Sequence, residues 1–255
     1  MPSEIILFTF IVVFIYGLCI GSFLNVCIYR IPLKENIAVN RSHCMSCGGQ
    51  LKWYDLVPLF SYLFLQGRCR YCKEKISIQY PLIESINGLG YVLIFIVNGI
   101  NLTSILYSLA FSALIVLSVI DWKTYEIPLP INIFILALGV IRAVLDYENL
   151  IDYIIGFVCV SGFLLLLFFA TKGRGIGGGD IKLMAAAGLL LGWKNIILAL
   201  VIGCVVGSII HIARMKISKT DHVLAFGPYL SVGIFIAMLW GDPIIRWYLS
   251  MFNLN

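Results

Sequence analysis

Apolar stretches of membrane-spanning length recur along this 255-residue chain, at residues 5–28, 81–100, 102–120, 129–145, 150–170, 181–192, 196–213 and 223–240. A crossing needs ~20 mostly apolar residues to cover ~30 Å of hydrocarbon. In that medium each run must satisfy its own backbone N–H and C=O groups, which a helix does. Composition agrees, with 61% of residues apolar and 12% charged, against about 45–50% and about 25% in an ordinary soluble domain. A soluble globular enzyme is thereby excluded. The expected fold class is an all-α polytopic membrane protein with about eight transmembrane helices and a small loop domain between the first two. The sixth run, residues 181–192, is short for a full crossing, so the parity of everything after it depends on whether it spans or re-enters. The first run continues past signal-peptide length without a small-residue cleavage site, which predicts a retained span.

Orientation follows from lysine and arginine. If residues 30–80 are cytoplasmic, fifteen of the eighteen basic residues lie inside, Arg174, Lys216 and Lys219 among them. Only Arg142, Lys194 and Arg246 remain outside, beside an acidic loop with Asp146, Glu148 and Asp152. The positive-inside rule then predicts an external N-terminus. The sequence divides into a first transmembrane helix at residues 1–29, a cytoplasmic domain at 30–80 and a larger transmembrane domain at 81–255.

The loop carries two C-x-x-C pairs, Cys44 with Cys47 and Cys69 with Cys72, twenty-one residues apart. That spacing is close to a zinc ribbon, in which four thiolates form a tetrahedron. Two disulfides are the competing reading, disfavoured by a reducing cytosol. A redox C-x-x-C is another, weakened by the second copy and the lack of a βαβ pattern. About fifty residues bury too little core to fold alone, so Zn2+ is expected in a structural role. The loop has a net charge of +5, which favours contact with anionic membrane lipid over nucleic acid. The other four cysteines sit in apolar runs and read as small buried hydrophobes.

Two carboxylates mark span ends on the same side. Asp121 closes the third run, and Asp180 follows the glycines Gly177, Gly178 and Gly179. Two such carboxyls, brought together, tend to share one proton. This is the state an aspartic hydrolase uses: the ionised group takes a proton from water while the protonated one hydrogen-bonds the scissile carbonyl. Glycines would let an extended peptide approach Asp180. Helix capping and ion pairing remain alternative roles for the two aspartates, and a flexible linker for the glycines. A phosphate loop is disfavoured because no Gly-Lys-Ser/Thr order follows.

Seven stretches in order resemble the bacterial type IV prepilin peptidase family, the leader peptidases and N-methyltransferases of the GxGD class. They are G-S-F-L-N-V-C-I-Y-R-I-P at 21–32, R-S-H-C-M-S-C at 41–47, W-Y-D-L-V-P-L-F-S-Y at 53–62, G-R-C-R-Y-C at 67–72, Y-P-L-I-E at 80–84, Asp121 with Ile127 and Pro128, and residues 177–182. Leu129 departs from the polar residue the family often has after that proline.

The resemblance implies a membrane aspartic endopeptidase that removes the basic leader of type IV prepilins or pseudopilins after a glycine, at the cytoplasmic face of the bacterial inner membrane. It implies Asp121 and Asp180 as the catalytic pair and Cys44, Cys47, Cys69 and Cys72 as metal ligands. It also implies methylation of the new N-terminus from S-adenosylmethionine, although no G-x-G-x-x-G fingerprint is present. Gly67 and Glu84 are the candidates for that second site. Glu84 lies within an apolar run, where a functional role and a structural partnership with a loop Lys or Arg are both open. Because a +5 loop repels a basic leader, acidic contact is expected from the region of Asp121, Glu126 and Asp180, with Gly177, Gly178, Gly179 and Lys182 lining the substrate's approach.

Three rival readings exist. Presenilin-like and archaeal preflagellin peptidases share G-x-G-D but generally lack the four-cysteine loop. A non-catalytic scaffold of a pilus or secretion machine would tolerate loss of both aspartates. A transporter would carry charges lining a route within its spans and repeated halves; the sequence shows no such repeat, and almost all its ionisable groups lie at span ends.

Overall fold

The computed structural model describes residues 3–39, 41–173, 175–217 and 225–251. Arg174, Lys219 and the start of the last apolar run at 223 lie outside the described residues. The described residues are helical, without named strands, and divide into two compact units, Met1–Ile100 and Asn101–Asn255.

The first unit pairs α1 (Ser3–Arg30) with α3 (Gln79–Asn98) and carries the loop domain between them, including the five-residue α2 (Phe60–Phe64). Gly17 and Gly21 form a G-x-x-x-G face that permits close approach, and a Cβ on Gly17 would meet the Gly88 Cα at 2.8 Å. The buried Asn87 Nδ2 donates to the Gly17 carbonyl at 2.7 Å. Asn25 Nδ2 donates to the Tyr80 carbonyl at 3.3 Å. Partners descend in α3 as they ascend in α1, so the pair is antiparallel.

The second unit contains α4 (Leu102–Thr124), α5 (Leu129–Leu145), α6 (Leu150–Ala170), α7 (Gly178–Leu191), α8 (Trp193–Ile217) and α9 (Gly227–Ser250). Among the described residues, six helices are long and apolar enough to cross a membrane, namely α1, α3, α4, α6, α8 and α9. The run at 181–192 forms α7, whose fourteen residues extend only ~21 Å. It survives this shortness by being enclosed: Leu183, Met184, Ala187 and Leu190 are fully buried, packed by α5, α6, α8 and α9. Gly156 of α6 and Gly188 of α7 each stand against the other's backbone.

A polar group marks the end of this unit remote from Asp121. Tyr153 donates to Asp146 at 2.6 Å, Arg142 pairs with Asp146 at 3.5 Å, and Asn195 donates to Asp242 at 3.1 Å. Arg142 and Lys194, two of the three basic residues assigned outside, therefore lie away from Lys123, Lys172 and Lys182. The last helix also runs further than expected. The last apolar run ends at 240, yet α9 bends at Trp240 (φ −129°, ψ 16°) and continues through Pro243 to Ser250. Proline kinks such a helix without ending it when tertiary packing holds both halves.

Candidate active site

Asp121 lies in the last turn of α4. That helix stops at Tyr125, which takes left-handed geometry (φ 57°) and donates its N–H to the Asp121 carbonyl at 2.8 Å. The Asp121 side chain is 4% exposed, and its Oδ2 accepts the backbone N–H of Gly227, the first residue of α9, at 2.9 Å. Asp180 lies in the first turn of α7 and is 8% exposed. Its Oδ2 reaches back to accept the Gly177 N–H at 3.2 Å, capping its own helix.

The two carboxyls line one cavity of about 310 Å³ with Tyr125, Glu126, Ile127, Gly177, Gly178 and Gly179. Gly179 is needed for this closeness, since a Cβ there would meet the Ile127 Cβ at 2.8 Å. Lys182 is exposed and is absent from the lining. Two residues beyond the sequence reading complete the site. Gly227 supplies the donor to Asp121, and the buried Asn132 of α5 directs Nδ2 at the Gly179 carbonyl, 3.5 Å away. The Gly-Pro pair at a helix start was the only local signal for Gly227.

The loop domain gathers Cys44, Cys47, Cys69 and Cys72, whose Sγ atoms all lie within 4.8 Å of one another. A zinc ion with Zn–S bonds of ~2.3 Å spaces its sulfurs about 3.8 Å apart, and the Cys44 and Cys72 sulfurs are 3.9 Å apart. Four unbridged cysteines in this arrangement form a cluster that could bind a metal. The two knuckles repeat one another. Gly48 N–H donates to the Cys44 carbonyl and Lys73 N–H to the Cys69 carbonyl, and both residues take positive φ, 68° and 62°. Backbone N–H groups of Cys47 and Ser46 hold the Cys44 thiol down to about 6, while the neighbouring cysteine sulfurs push Cys72 up; a bound metal would hold all four as thiolates.

Gly67 and Glu84, the candidates for a second cofactor, both make contacts within the first unit. Gly67 turns the chain with φ +66° and packs against the Tyr62 ring. Glu84 is 6% exposed and accepts the Leu59 N–H at 2.8 Å. Its partner is a backbone amide rather than a loop Lys or Arg. Asp55 instead takes the loop's ion pair, with Arg70 Nε at 2.7 Å.

Residues 15–98 match the family described as bacterial Peptidase A24 N-terminal domain, and residues 108–212 match the type IV leader peptidase family. The chain is 34% identical to the prepilin leader peptidase/N-methyltransferase of Aeromonas salmonicida (strain A449) over 275 residues, covering 94% of each. The chain belongs to the type IV leader peptidase family. As a member of the type IV leader peptidases, it is also 34% identical to the protein of that name from Bacillus subtilis (strain 168), covering 94% of this chain and 98% of the relative. The Legionella pneumophila relative is 31% identical over 273 residues, covering 95% of each. No solved structure matches the chain. This leader peptidase is an enzyme and a polytopic membrane protein, and the two family matches fall one in each compact unit.

Proposed function

We propose that this chain cleaves the basic leader from type IV prepilins or pseudopilins after a glycine, using Asp121 and Asp180 at the cytoplasmic face of the bacterial inner membrane. The observation that carries this reading is the shared cavity, which lines two buried aspartyl carboxyls with three consecutive glycines. Two carboxyls on one small cavity hold a single proton between them at least cost. The ionised member removes a proton from water as the water oxygen attacks the scissile carbonyl. The protonated member hydrogen-bonds the carbonyl oxygen as it gains negative charge. Collapse of the tetrahedral centre breaks the C–N bond, and the departing amine takes a proton from the site. The backbone N–H of Gly227 holds Asp121 in place throughout, and that of Gly177 holds Asp180.

The functional division is residues 1–29 as an anchoring helix, 30–80 as a zinc domain and 81–255 as the peptidase domain. Zn2+ fits the four-cysteine cluster as a structural ion, since four protein thiolates leave no open position. When bound, S-adenosylmethionine would supply the methyl group for the new N-terminal amine, an activity supported by the names of the relatives. The expected partners are a prepilin or pseudopilin precursor and membrane lipid.

Intact mass spectrometry of a pilin precursor co-expressed with this protein tests the reading. The parent should remove the leader and add one methyl, while Asp121→Asn and Asp180→Asn should each lower cleavage by about 10²–10⁴-fold. Cleavage at the parental rate by either variant would return that aspartate to a structural role and bring the scaffold reading forward.

A further inference from the structure

The most apolar exposed surface of the loop domain is not explained by the aspartate cavity or by the cysteines. Residues 56–67 contain no charged side chain. Within and beside them, Trp53 is 79% exposed, Phe60 58%, Leu63 69% and Phe64 84%. The nearest acid, Asp55, is withdrawn into its pair with Arg70. Contiguous exposed apolar surface of this kind marks a protein or membrane contact.

The position of this segment decides between them. Leu59 N–H donates to Glu84 Oε2 at 2.8 Å, and Glu84 stands five residues past the start of α3 at Gln79, about 8 Å along the helix axis. Glu84 also packs against α1, where a Cβ on Gly21 would meet the Glu84 Cα at 2.7 Å, nine residues before the end of α1 at Arg30, about 14 Å along that axis. Leu59 is thus held level with the interior of two membrane-spanning helices, beneath their ends. We propose that residues 53–64 form a re-entrant element that inserts into the anionic cytoplasmic leaflet beside α1 and α3.

The chemistry of its borders matches that leaflet. Trp53 and Tyr54 open the segment with amphipathic rings suited to the headgroup region. Lys52 lies before it and Arg68 and Arg70 follow it, with Lys52 and Arg70 set over the Tyr54 ring at 5.7 and 4.9 Å. Those cations meet lipid phosphates while Phe60, Leu63 and Phe64 enter the acyl region. The buried carboxylate of Glu84 also acquires a reason, because the Leu59 amide needs an acceptor at a depth where water is scarce. The element fixes the height of the four-cysteine domain against the membrane, on the cytoplasmic side proposed above.

The test uses the full-length protein, one copy per nanodisc of phosphatidylethanolamine and phosphatidylglycerol. With Trp122, Trp193, Trp240 and Trp247 replaced by phenylalanine, Trp53 should be quenched about twofold more by lipids brominated near the headgroup than by lipids brominated deep in the tails. Aqueous iodide should quench it weakly. The unmodified chain provides a second measurement that needs no substitution: a membrane-soluble carbene reagent should label residues 56–64 and leave residues 41–50 unlabelled. Strong iodide quenching with no carbene labelling overturns the proposal. So does protection that arises only when two copies share a disc or when a pilin precursor is added, since either assigns the surface to a protein partner.

Discussion

The backbone N–H of Gly227 donates to Asp121 Oδ2 at 2.9 Å, joining the first residue of α9 to the last turn of α4 across 106 residues of sequence. A Cβ at Gly227 would lie 2.7 Å from that oxygen and 3.0 Å from Leu117 Cδ2. Gly227→Ala therefore displaces the carboxyl and crowds the buried Leu117. The expected outcome is a fall in kcat of about tenfold or more, ~1.4 kcal/mol, larger than any loss of activity that a lowered melting temperature explains at the assay temperature. Parental kcat in the alanine variant would show that Asp121 needs no such support.

Asn132 bears on the other aspartate. Its amide reaches the carbonyl of Gly179, the residue preceding Asp180. Asn132→Leu removes a second donor from that carbonyl, which keeps its own bond within α7, at a cost of about 0.5–1.5 kcal/mol. Because the turn rather than the substrate is disturbed, kcat should fall while KM changes little. A rise in KM alone would place Asn132 in substrate binding instead.

For Glu84, two roles give opposite readouts. As the acceptor for Leu59, it tolerates Glu84→Gln, whose amide oxygen still accepts, whereas Glu84→Ala should lose about 1–3 kcal/mol of stability. Thermal melts separate the two variants. If Glu84 touched the methyl donor, Glu84→Gln would weaken S-adenosylmethionine binding in titration calorimetry without moving the melt.

Metal content gives a separate check on the loop domain. Plasma mass spectrometry should find about one zinc per chain, and Cys44→Ser combined with Cys69→Ser should remove it. Since the loop buries little apolar surface of its own, loss of metal should expose residues 41–76 to proteolysis. A protease-resistant loop in metal-free protein would assign the cysteines no structural ion.

Glu126 lines the aspartate cavity and is exposed, in a position to meet a basic leader. Glu126→Lys should slow cleavage of the parental leader and spare a leader whose lysines are changed to glutamate. The effect should diminish with salt, as expected for an exposed pair worth under about 1 kcal/mol. Equal rates across the four combinations would remove charge recognition from this residue.

Hydropathy and spacing carried a large part of this protein. The helices at 129–145 and 150–170 begin and end where their apolar runs do, because in lipid a run must bond its own backbone and its composition alone sets its extent. The cysteine spacing likewise foretold the cluster, since each C-x-x-C turn is local. Asp121 and Asp180 were visible as acids at span ends, where charge is costly and therefore conspicuous.

Other features were decided only by packing. Every residue but proline carries a backbone N–H, so nothing in the side chains of residues 227 or 59 announces a partner for Asp121 or Glu84. The last apolar run ends at 240, yet α9 bends at Trp240 and continues through Pro243 to Ser250. The shortness of α7 was legible, but its enclosure by four helices was not. Local sequence sets where helices form, through interactions of near neighbours. Which backbone amide faces which carboxyl depends on helix packing across a hundred residues, and that was decided by the tertiary structure.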